Sequence, residues 1–363
     1  MEFIQQYKPW FDESEIEAVV SYMRSGGYLT EFKKTQEFGI SMASYTGADH
    51  CSIYANGTVT LTAALIALGI TNKTDEVIVP DYTMIASANA VIMAGATPVF
   101  ADVERETICL DYESMKAAVT PNTKAIMLVS INGRYPKKLN EILSFCKERK
   151  ISILEDAAQS LGCFYNGKHV GTYGDIGSFS FSMPKIITTG QGGALITNNP
   201  ELYRKIELIK NFGRESAGID KHIFFGVNFK FTDLQAVIGI EQMKKIPERV
   251  VLKKKNYKLL RQLLADVKEV EFITTGEDVT PWFNDIIVPD AFSLQSYLKE
   301  QGIGSRPFYP TLHTQAPYYL HDKHFPNAEF FANHGLWLPS YSQLSIEEIE
   351  KIANRIRTFF AGN

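Results

Sequence analysis

The chain contains 363 residues, of which 45% are hydrophobic and 21% charged, and its formal net charge is −4. This composition is typical of a globular protein, and the length is enough for two domains with sizeable cores. The net charge is negative and the longest basic tract is the short run 253–255, so the sequence argues against a nucleic-acid partner.

Neither a metal site nor a disulfide framework is predicted. The cysteines are widely spaced without a CxxC pair, and the histidines between 313 and 334 follow no metal-ligand spacing. The start of the chain, MEFIQQYKPWFDESE, is polar and acidic, unlike a signal peptide, and no apolar run approaches the roughly 20 residues of a membrane span. We therefore expect a cytoplasmic protein without membrane contact. The residues concerned are Cys51, Cys109, Cys146, Cys163, His313, His321, His324 and His334.

Predicted strands and helices alternate through the first 200 residues. After a helix ending near Met23, the patterns predict strands over 50–54, 76–80, 97–103, 125–131 and 151–154, and helices over 34–46, 59–69, 82–94, 115–119 and 139–147. This alternation predicts a parallel, doubly wound α/β sheet. In such sheets ligands bind beyond the carboxyl ends of the strands.

Two features stand at predicted strand ends. Asn56-Gly57-Thr58 lies between a strand and a helix, where backbone N–H groups can bind phosphate, although a plain turn is the commoner explanation for so short a motif. Asp156 follows the buried strand 151–154, and it is either a site carboxylate or a helix N-cap.

The stretch 177–198, GSFSFSMPKIITTGQGGALITN, is centred on Lys185. Alternation predicts a short strand with Phe179 and Phe181 on one face and with Ser178 and Ser180 directed toward the site of Lys185. The Gly-Gln-Gly-Gly run then predicts a tight turn and a return strand. A lysine held beside hydroxyls on a turn suits an amine that forms a Schiff base, and the alternative is an ordinary surface lysine.

One motif points elsewhere. The segment 162–168, GCFYNGK, has the spacing of a phosphate-binding P-loop, but His169 follows it where a magnesium-binding Ser or Thr would be needed. Asn166-Gly167 between short β-like segments is better explained as a hairpin turn. The sequence therefore argues against a nucleoside triphosphatase.

The pattern changes near Pro247. Before it, we predict a helix over 201–211 and a second one that follows the loop 226–231 and is capped by Thr232 or Asp233. After it come predicted helices over 250–264, 293–301 and 346–360 and strands near 270–273 and 285–288. We therefore predict a large domain over 1–247, including an N-terminal lead, and a smaller α+β domain over 248–363.

Seven segments occur together in one order. They are NGT (56–58), PDYTMIASAN (80–89), DAAQS (156–160), GSFSFSMPK (177–185), GQGGALIT (190–197), VNFKFTDLQA (227–236) and RPFYPTLH (306–313). From about residue 5 to its end, the chain resembles the DegT/DnrJ-type sugar aminotransferases, which use pyridoxal 5′-phosphate (PLP). The resemblance implies PLP fold type I, the aspartate-aminotransferase fold.

The resemblance also implies roles for single residues. Lys185 matches the lysine that binds PLP as a Schiff base, Asp156 the carboxylate facing the pyridine nitrogen, and Gln159 the residue near the phenolic oxygen. Asn228 matches an asparagine that reaches the phosphate in the neighbouring subunit, which implies a homodimer with shared sites. The remaining matches are the phosphate cradle Gly57, Thr58 and Ser180, the ring-stacking position Met84, and the substrate contacts Tyr28, Arg306, Tyr309 and His313.

Four departures from the family pattern are visible. Met84 stands where an aromatic residue is usual, and its polarizable sulfur can still pack on a ring. Gln191 replaces the usual glutamate of the glycine-rich turn. Lys230 stands in place of an arginine, and SINGRYP (130–136) replaces a His-x-x-Gly form. The last two leave the acceptor substrate open.

The expected function is transfer of an amino group from L-glutamate to a keto sugar, specifically a nucleotide-linked 4-keto-6-deoxyhexose, with PLP and pyridoxamine phosphate alternating in a ping-pong cycle. A small phosphorylated ketone or a cyclitol ketone is the alternative acceptor. The dehydratase branch of the family carries histidine in place of the Schiff-base lysine, so Lys185 argues against it. A non-enzymatic regulator would need a helix-turn-helix or a basic face, and the sequence indicates neither.

Overall fold

The computed structural model describes residues 3–216, 218–320 and 322–362, so His321 lies outside the described residues. The helices are α1 Glu13–Arg24, α2 Lys33–Thr46, α3 Gly57–Ala67, α4 Ala86–Ala94, α5 Tyr112–Ala118, α6 Leu139–Arg149, α7 Pro200–Lys210, α8 Asp233–Lys244, α9 Ile246–Leu263, α10 Ala291–Glu300, α11 Pro326–His334 and α12 Ile346–Ala361. The strands are β1 His50–Tyr54, β2 Glu76–Pro80, β3 Thr97–Ala101, β4 Thr123–Val129, β5 Ser152–Asp156, β6 Phe164–Tyr165, β7 Lys168–His169, β8 Ile176–Ser180, β9 Gly193–Thr197, β10 Arg214–Ser216, β11 Ile219–His222, β12 Asn284–Ile287, β13 Arg306–Pro307 and β14 Gly335–Leu338.

The predicted doubly wound sheet is confirmed. It has seven strands in the order β1-β9-β8-β5-β4-β2-β3. The neighbouring pairs from β8 to β3 are parallel, whereas β9 runs antiparallel to both β1 and β8. Strand β1 therefore points the same way as β8 and the other parallel strands, so the ends of β1, β2, β5 and β8, which carry the predicted motifs, share one edge of the sheet.

Helix α3 shows how sequence builds the core of this layer. Its sequence GTVTLTAALIA has no charged residue and is hydrophobic on average, and most of its residues are buried. The side chain of Asn56 caps it by accepting hydrogen bonds from the N–H groups of Thr58 and Val59. Leu61 and Leu65 of α3 pack in one core cluster with strand residues such as Val79. The cap therefore fixes where the helix begins, beside the end of β1.

The C-terminal residues form a smaller α+β unit, as predicted. Its three-stranded antiparallel sheet has the order β12-β14-β13, and its core is filled by side chains of α9, α10 and α12. Ile4 of the N-terminal lead also lies in this core and bridges to Ile303. Helix α9 begins at Ile246, before the proposed boundary at 247, because a proline fits in the first helical turn. The division at 247 stays a prediction.

Several predicted elements are wrong in extent. The helix predicted over 82–94 begins only at Ala86, because Tyr82 is fully buried against Phe308 and Phe331 and this packing overrides local propensity. No strand forms over 270–273, where Glu271 makes a single bridge to Ile287. Helix α11 and the short strands β10, β11, β13 and β14 were not predicted. The Asn166-Gly167 hairpin between β6 and β7 is confirmed, with left-handed φ values of 46° and 74°.

Two further properties concern the cysteines and the helices. All four cysteines are free thiols. Across the described ranges, no helix combines the length and the apolar character that a membrane crossing requires.

Candidate active site

A cavity of about 270 Å³ lies at the carboxyl edge of the large sheet. Four segments close it: the start of α3, the turn after β2, the turn after β5, and the loop between β8 and β9. Its lining is Asn56, Gly57, Thr58, Leu61, Thr83, Met84, Ala86, Asp156, Ala158, Gln159, Ser180, Ser182, Lys185 and Gln191. The cavity therefore brings together seven of the residues predicted to hold the cofactor: Gly57, Thr58, Met84, Asp156, Gln159, Ser180 and Lys185.

Both backbone polar groups of Lys185, the N–H and the carbonyl, form hydrogen bonds. Its N–H donates to the carbonyl of Ser182 at 3.0 Å, and its carbonyl accepts from the Tyr7 hydroxyl at 2.8 Å. The indole N–H of Trp282 donates to the Pro184 carbonyl at 2.5 Å. The Lys185 Nζ then lies 4.1 Å from the centroid of the Trp282 ring. The N-terminal lead and the C-terminal unit thus both fix this loop.

The surroundings of the Lys185 amine favour its deprotonated form. Burial lowers its pKa from 10.5 to about 8, and the nearby Asp156 carboxylate acts in the opposite direction. A lysine must lose its proton before it attacks a carbonyl carbon, so a lowered pKa increases the fraction of reactive amine near neutral pH. An ordinary surface lysine, the alternative explanation from sequence, would not be enclosed in this way.

Asp156 ends β5 and is almost completely buried. The Ser87 hydroxyl donates to its Oδ2 at 2.7 Å, and the Ala158 N–H donates to Oδ1 at 3.2 Å. Burial raises the pKa of Asp156, while these two donors lower it. The helix-cap interpretation is wrong, because residues 157–163 form turns and not a helix. The carboxylate instead faces the cavity, where a cationic partner would stabilise its charge.

The start of α3 and the end of β8 form the anion-binding end of the cavity. Gly57 begins the helix, whose N-terminal dipole favours negative charge. A Cβ at Gly57 would lie 2.9 Å from the Ser180 Cβ, so only glycine leaves this space open. Ser180 lines the cavity, but Ser178 does not, since its hydroxyl is buried 2.7 Å from that of Thr60. The expectation that both serines face the site is therefore wrong for Ser178.

Met84 and Gln191 complete the rim. Met84 is 44% exposed and is part of the cavity lining, and it stands where an aromatic residue was expected. Gln191 is exposed on the glycine-rich turn, and its carbonyl accepts from the Gln235 amide at 3.0 Å. Both side chains could contact a ring bound in the cavity.

The predicted substrate residues are spread more widely. Tyr309 is not part of the cavity lining, and burial raises its pKa to about 12, with Arg306 acting against that rise and Asp156 adding to it. Arg306 is exposed and lies over the Tyr309 ring at 5.5 Å. His313 lines a different cavity of about 580 Å³ and is fixed by Asp81, whose Oδ2 lies 2.7 Å from its Nδ1. Tyr28 is 67% exposed on the surface.

Asn228 lies outside the cavity lining that the described residues form. It is exposed, and its Oδ1 accepts from the Lys230 N–H at 3.4 Å. Its role in a shared site therefore stays a prediction about a second chain.

Sequence reasoning missed several residues of the site. Ser87 and Ser182 were inside quoted segments but carried no signal of their own. Tyr7 and Trp282 are far from the site in sequence and reach it only through the fold. Trp282 stands in a Pro-Trp-Phe-Asn run, whose aromatic character signals burial but no specific role.

Known proteins are similar to this chain in sequence and in fold. The sequence profile of the DegT/DnrJ/EryC1/StrS aminotransferase family matches residues 9–357. GDP-perosamine synthase from Vibrio cholerae is 32% identical over 365 residues, covering 98% of this chain and 99% of that protein. The L-glutamine:2-deoxy-scyllo-inosose aminotransferase of Streptoalloteichus tenebrarius is 33% identical over 252 residues, covering 67% of this chain and 59% of that protein. The crystal structure of S. venezuelae DesV in complex with a ketimine intermediate has a TM-score of 0.90 at 28% identity, covering 95% of this chain and 94% of that one.

The chain belongs to the DegT/DnrJ/EryC1/StrS aminotransferase family. It is a PLP-dependent aminotransferase of PLP fold type I, which confirms the resemblance, the enzyme class and the cofactor predicted from sequence.

The residues of the cavity fit PLP. Gly57, Thr58 and Ser180 offer backbone and hydroxyl donors at a helix N-terminus for a phosphate. Asp156 offers an anion for a protonated ring nitrogen, and Lys185 offers a partly deprotonated amine for the aldehyde. A side chain at position 57 would fill the phosphate end, and none is present.

Proposed function

We propose that this protein transfers the amino group of L-glutamate to the keto carbon of a nucleotide-linked keto sugar, a 4-keto-6-deoxyhexose. The observation that carries the proposal is one cavity holding an enclosed amine at Lys185, a buried carboxylate at Asp156 and a helix N-terminus at Gly57. The choice of acceptor is supported by the relative named GDP-perosamine synthase, which is similar along almost its entire length.

When bound, PLP supplies an electrophilic carbonyl and a ring that withdraws electrons from the carbon next to the transferred nitrogen. The chain supplies the rest. Gly57, Thr58 and Ser180 would hold the phosphate, and Asp156 would keep the ring nitrogen protonated by offering a fixed negative charge. The Lys185 amine would hold the cofactor covalently between turnovers and, once released, would move a proton between the two carbons on either side of the transferred nitrogen, as a general acid/base.

The second acceptor class remains a candidate because a relative is named as a 2-deoxy-scyllo-inosose aminotransferase. The departure from the family pattern at 130–136 does not support this second acceptor class. Arg134, its charged residue, is only 2% exposed and pairs with Asp285 at 2.7 Å. Arg134 is absent from the cavity lining, so its charge gives no reason to prefer either acceptor class.

We further propose a homodimer with shared sites. Asn228 and Tyr28 are both predicted site residues, yet both lie exposed and outside their own chain's cavity lining. Exposed apolar side chains are plentiful on the same chain, with Phe225 at 67% and Met183 at 53% exposed. Large exposed apolar groups favour association.

The cytoplasm is the proposed compartment. Four free thiols, three of them buried, support it, since a reducing environment keeps thiols unpaired.

A substrate screen tests the proposed function. Purified enzyme with PLP and L-glutamate is offered 4-keto-6-deoxyhexoses linked to GDP, UDP or dTDP, a cyclitol ketone and a small phosphorylated ketone, and amino products are measured by mass spectrometry. The proposal predicts an amino sugar and 2-oxoglutarate from a nucleotide-linked arm, and neither from Lys185→Ala. Turnover confined to the cyclitol or the phosphorylated ketone would overturn the acceptor, and no turnover with any arm would leave the nucleotide-sugar proposal unsupported.

A further inference from the structure

A buried polar cluster joins the C-terminal unit to the large sheet. Arg134 and Asp285 are 2% and 1% exposed, and the guanidinium donates to both carboxylate oxygens, at 2.7 and 2.8 Å. Thr275 accepts from Arg134 Nε at 3.1 Å and Nη2 at 3.0 Å. Because a bidentate pair has a defined geometry, it fixes the start of β12 against the turn that follows β4.

Asn132 lies inside this cluster, in the left-handed region at φ 52°. Its Nδ2 donates to the Phe283 carbonyl at 2.9 Å and to Asp285 Oδ2 at 2.8 Å, and its Oδ1 accepts from the Phe283 N–H at 2.6 Å. A carboxylate and a backbone carbonyl can only accept, and a backbone N–H can only donate, so the orientation of this amide is determined by chemistry.

The backbone of Asn132 reaches the cofactor cavity. Its N–H donates to Gln159 Oε1 at 2.7 Å, in a buried contact. Because the N–H can only donate, the oxygen of the Gln159 carboxamide must face Asn132. The amino group of Gln159 is then the end left for the cavity, and it can meet only a hydrogen-bond acceptor.

From this juxtaposition we propose that Asn132 is a positioning residue for Gln159. Phe283 and Asp285 of the C-terminal unit hold the Asn132 side chain, and the Asn132 N–H in turn holds the Gln159 carboxamide with its amino group presented to the phenolic oxygen of PLP. The inference rests on the proposed placement of the cofactor against Gln159.

The proposed consequence is electronic. A donor at the phenolic oxygen stabilises negative charge there, so it favours the deprotonated form of the bound chromophore. Loosening the donor should raise the pH at which the cofactor absorbance titrates. Since a net hydrogen bond contributes on the order of one kcal/mol, the expected shift is about 0.5 to 1 pH unit.

The test is an absorbance titration of the PLP-loaded enzyme. Asn132→Gly keeps the N–H and tolerates the left-handed φ but removes the side-chain contacts to Phe283 and Asp285. We expect the midpoint to rise in Asn132→Gly and in Gln159→Ala, and we expect the double variant to match Gln159→Ala alone, since both changes act through one group. Asn166→Gly is the matched control, because it makes the same change at an exposed left-handed asparagine, φ 46°, in the β6–β7 hairpin.

The titration midpoints distinguish the positioning role of Asn132 from the placement of PLP against Gln159. A midpoint in Asn132→Gly equal to that of the Asn166→Gly control, or shifts that add in the double variant, would overturn the positioning role. An unshifted Gln159→Ala would overturn the placement of PLP against Gln159, and with it this inference, while leaving the amino-acceptor screen unaffected.

A second measurement does not depend on the folding of Asn132→Gly. Gln159→Ala removes the acceptor of the Asn132 N–H, so hydrogen exchange in the peptide covering 130–135 should become faster in that variant. Unchanged exchange there would contradict the proposed link as directly as the titration.

Discussion

Replacing Lys185 by methionine should change the pH dependence of folding in a defined direction. Methionine has a similar length and no charge, so the substitution removes the titration with little change of volume. The folded pKa of Lys185 is about 8 against an ordinary 10.5. Between these values the unfolded chain binds the proton that the folded chain has released.

The direction of the pH effect on stability follows from this difference between the folded and unfolded pKa values. Stability contributed by Lys185 rises with pH through the window from about 8 to 10.5, because the unfolded state binds more protons there. Below that window the enclosed charge destabilises the fold. At about 1.4 kcal/mol per pH unit the full shift corresponds to roughly 3 kcal/mol. Lys185 is half-buried in the cavity lining and not sealed from solvent, so screening reduces our expectation to about 1–2 kcal/mol.

The assay is urea unfolding of cofactor-free protein at a series of pH values. We expect the free energy of unfolding of Lys185→Met, minus that of wild type, to fall by about 1–2 kcal/mol from the lower to the upper end of the window. Lys255→Met, an exposed lysine of α9, is the control and should give a difference that changes much less with pH. A pH-independent difference for Lys185→Met, or one that grows with pH, would refute the reasoning.

Three further predictions follow from the same cavity. Asp156→Asn should keep the fold but slow turnover about a hundredfold or more, since a lost charge partner in a buried site costs roughly 3 kcal/mol; near-normal kcat would remove its proposed role. Gly57→Ala should weaken PLP binding about tenfold, measured as a dissociation constant, because the new Cβ meets Ser180 at 2.9 Å; unchanged affinity would contradict the cradle. The third prediction mixes inactive Lys185→Ala with Asn228→Lys, once the latter is shown to be inactive. Each heterodimer should regain about half the wild-type site activity if the sites are shared, and none if each chain serves its own site. If Asn228→Lys only loosens PLP, cofactor retention is measured instead of activity.

The large sheet was predictable because its signals are local. Continuous apolar runs such as 125–131 mark strands buried on both faces, and they alternate with helical periods of adequate length. Lys185 could be predicted for a similar reason, as its strand, turn and glycines are contiguous in sequence. Asp156 was identified at a strand end, but only the turns after it separate a site carboxylate from a helix cap.

Other parts depend on contacts that no local pattern encodes. Tyr82 leaves its predicted helix because Phe308 and Phe331, more than 200 residues later, enclose it. Trp282 meets Lys185 only after the C-terminal unit packs on the sheet. The 130–136 segment read as a departure near the substrate, whereas Arg134 is buried in an ion pair. Such long-range packing is what the sequence could not supply.

The central claim is that Lys185 binds the cofactor covalently, and borohydride trapping tests it most directly. The PLP-loaded enzyme is reduced, digested and mapped by mass spectrometry. The account predicts one phosphopyridoxyl label per chain, on the peptide containing Lys185, and no label at that peptide in Lys185→Ala. The rival site is Lys253, a buried amine whose pKa burial lowers to about 7, but whose Nζ already donates to the carbonyls of Trp282 and Ser340 at 2.8 and 2.6 Å. A label on Lys253, or on any lysine other than Lys185, would contradict the account.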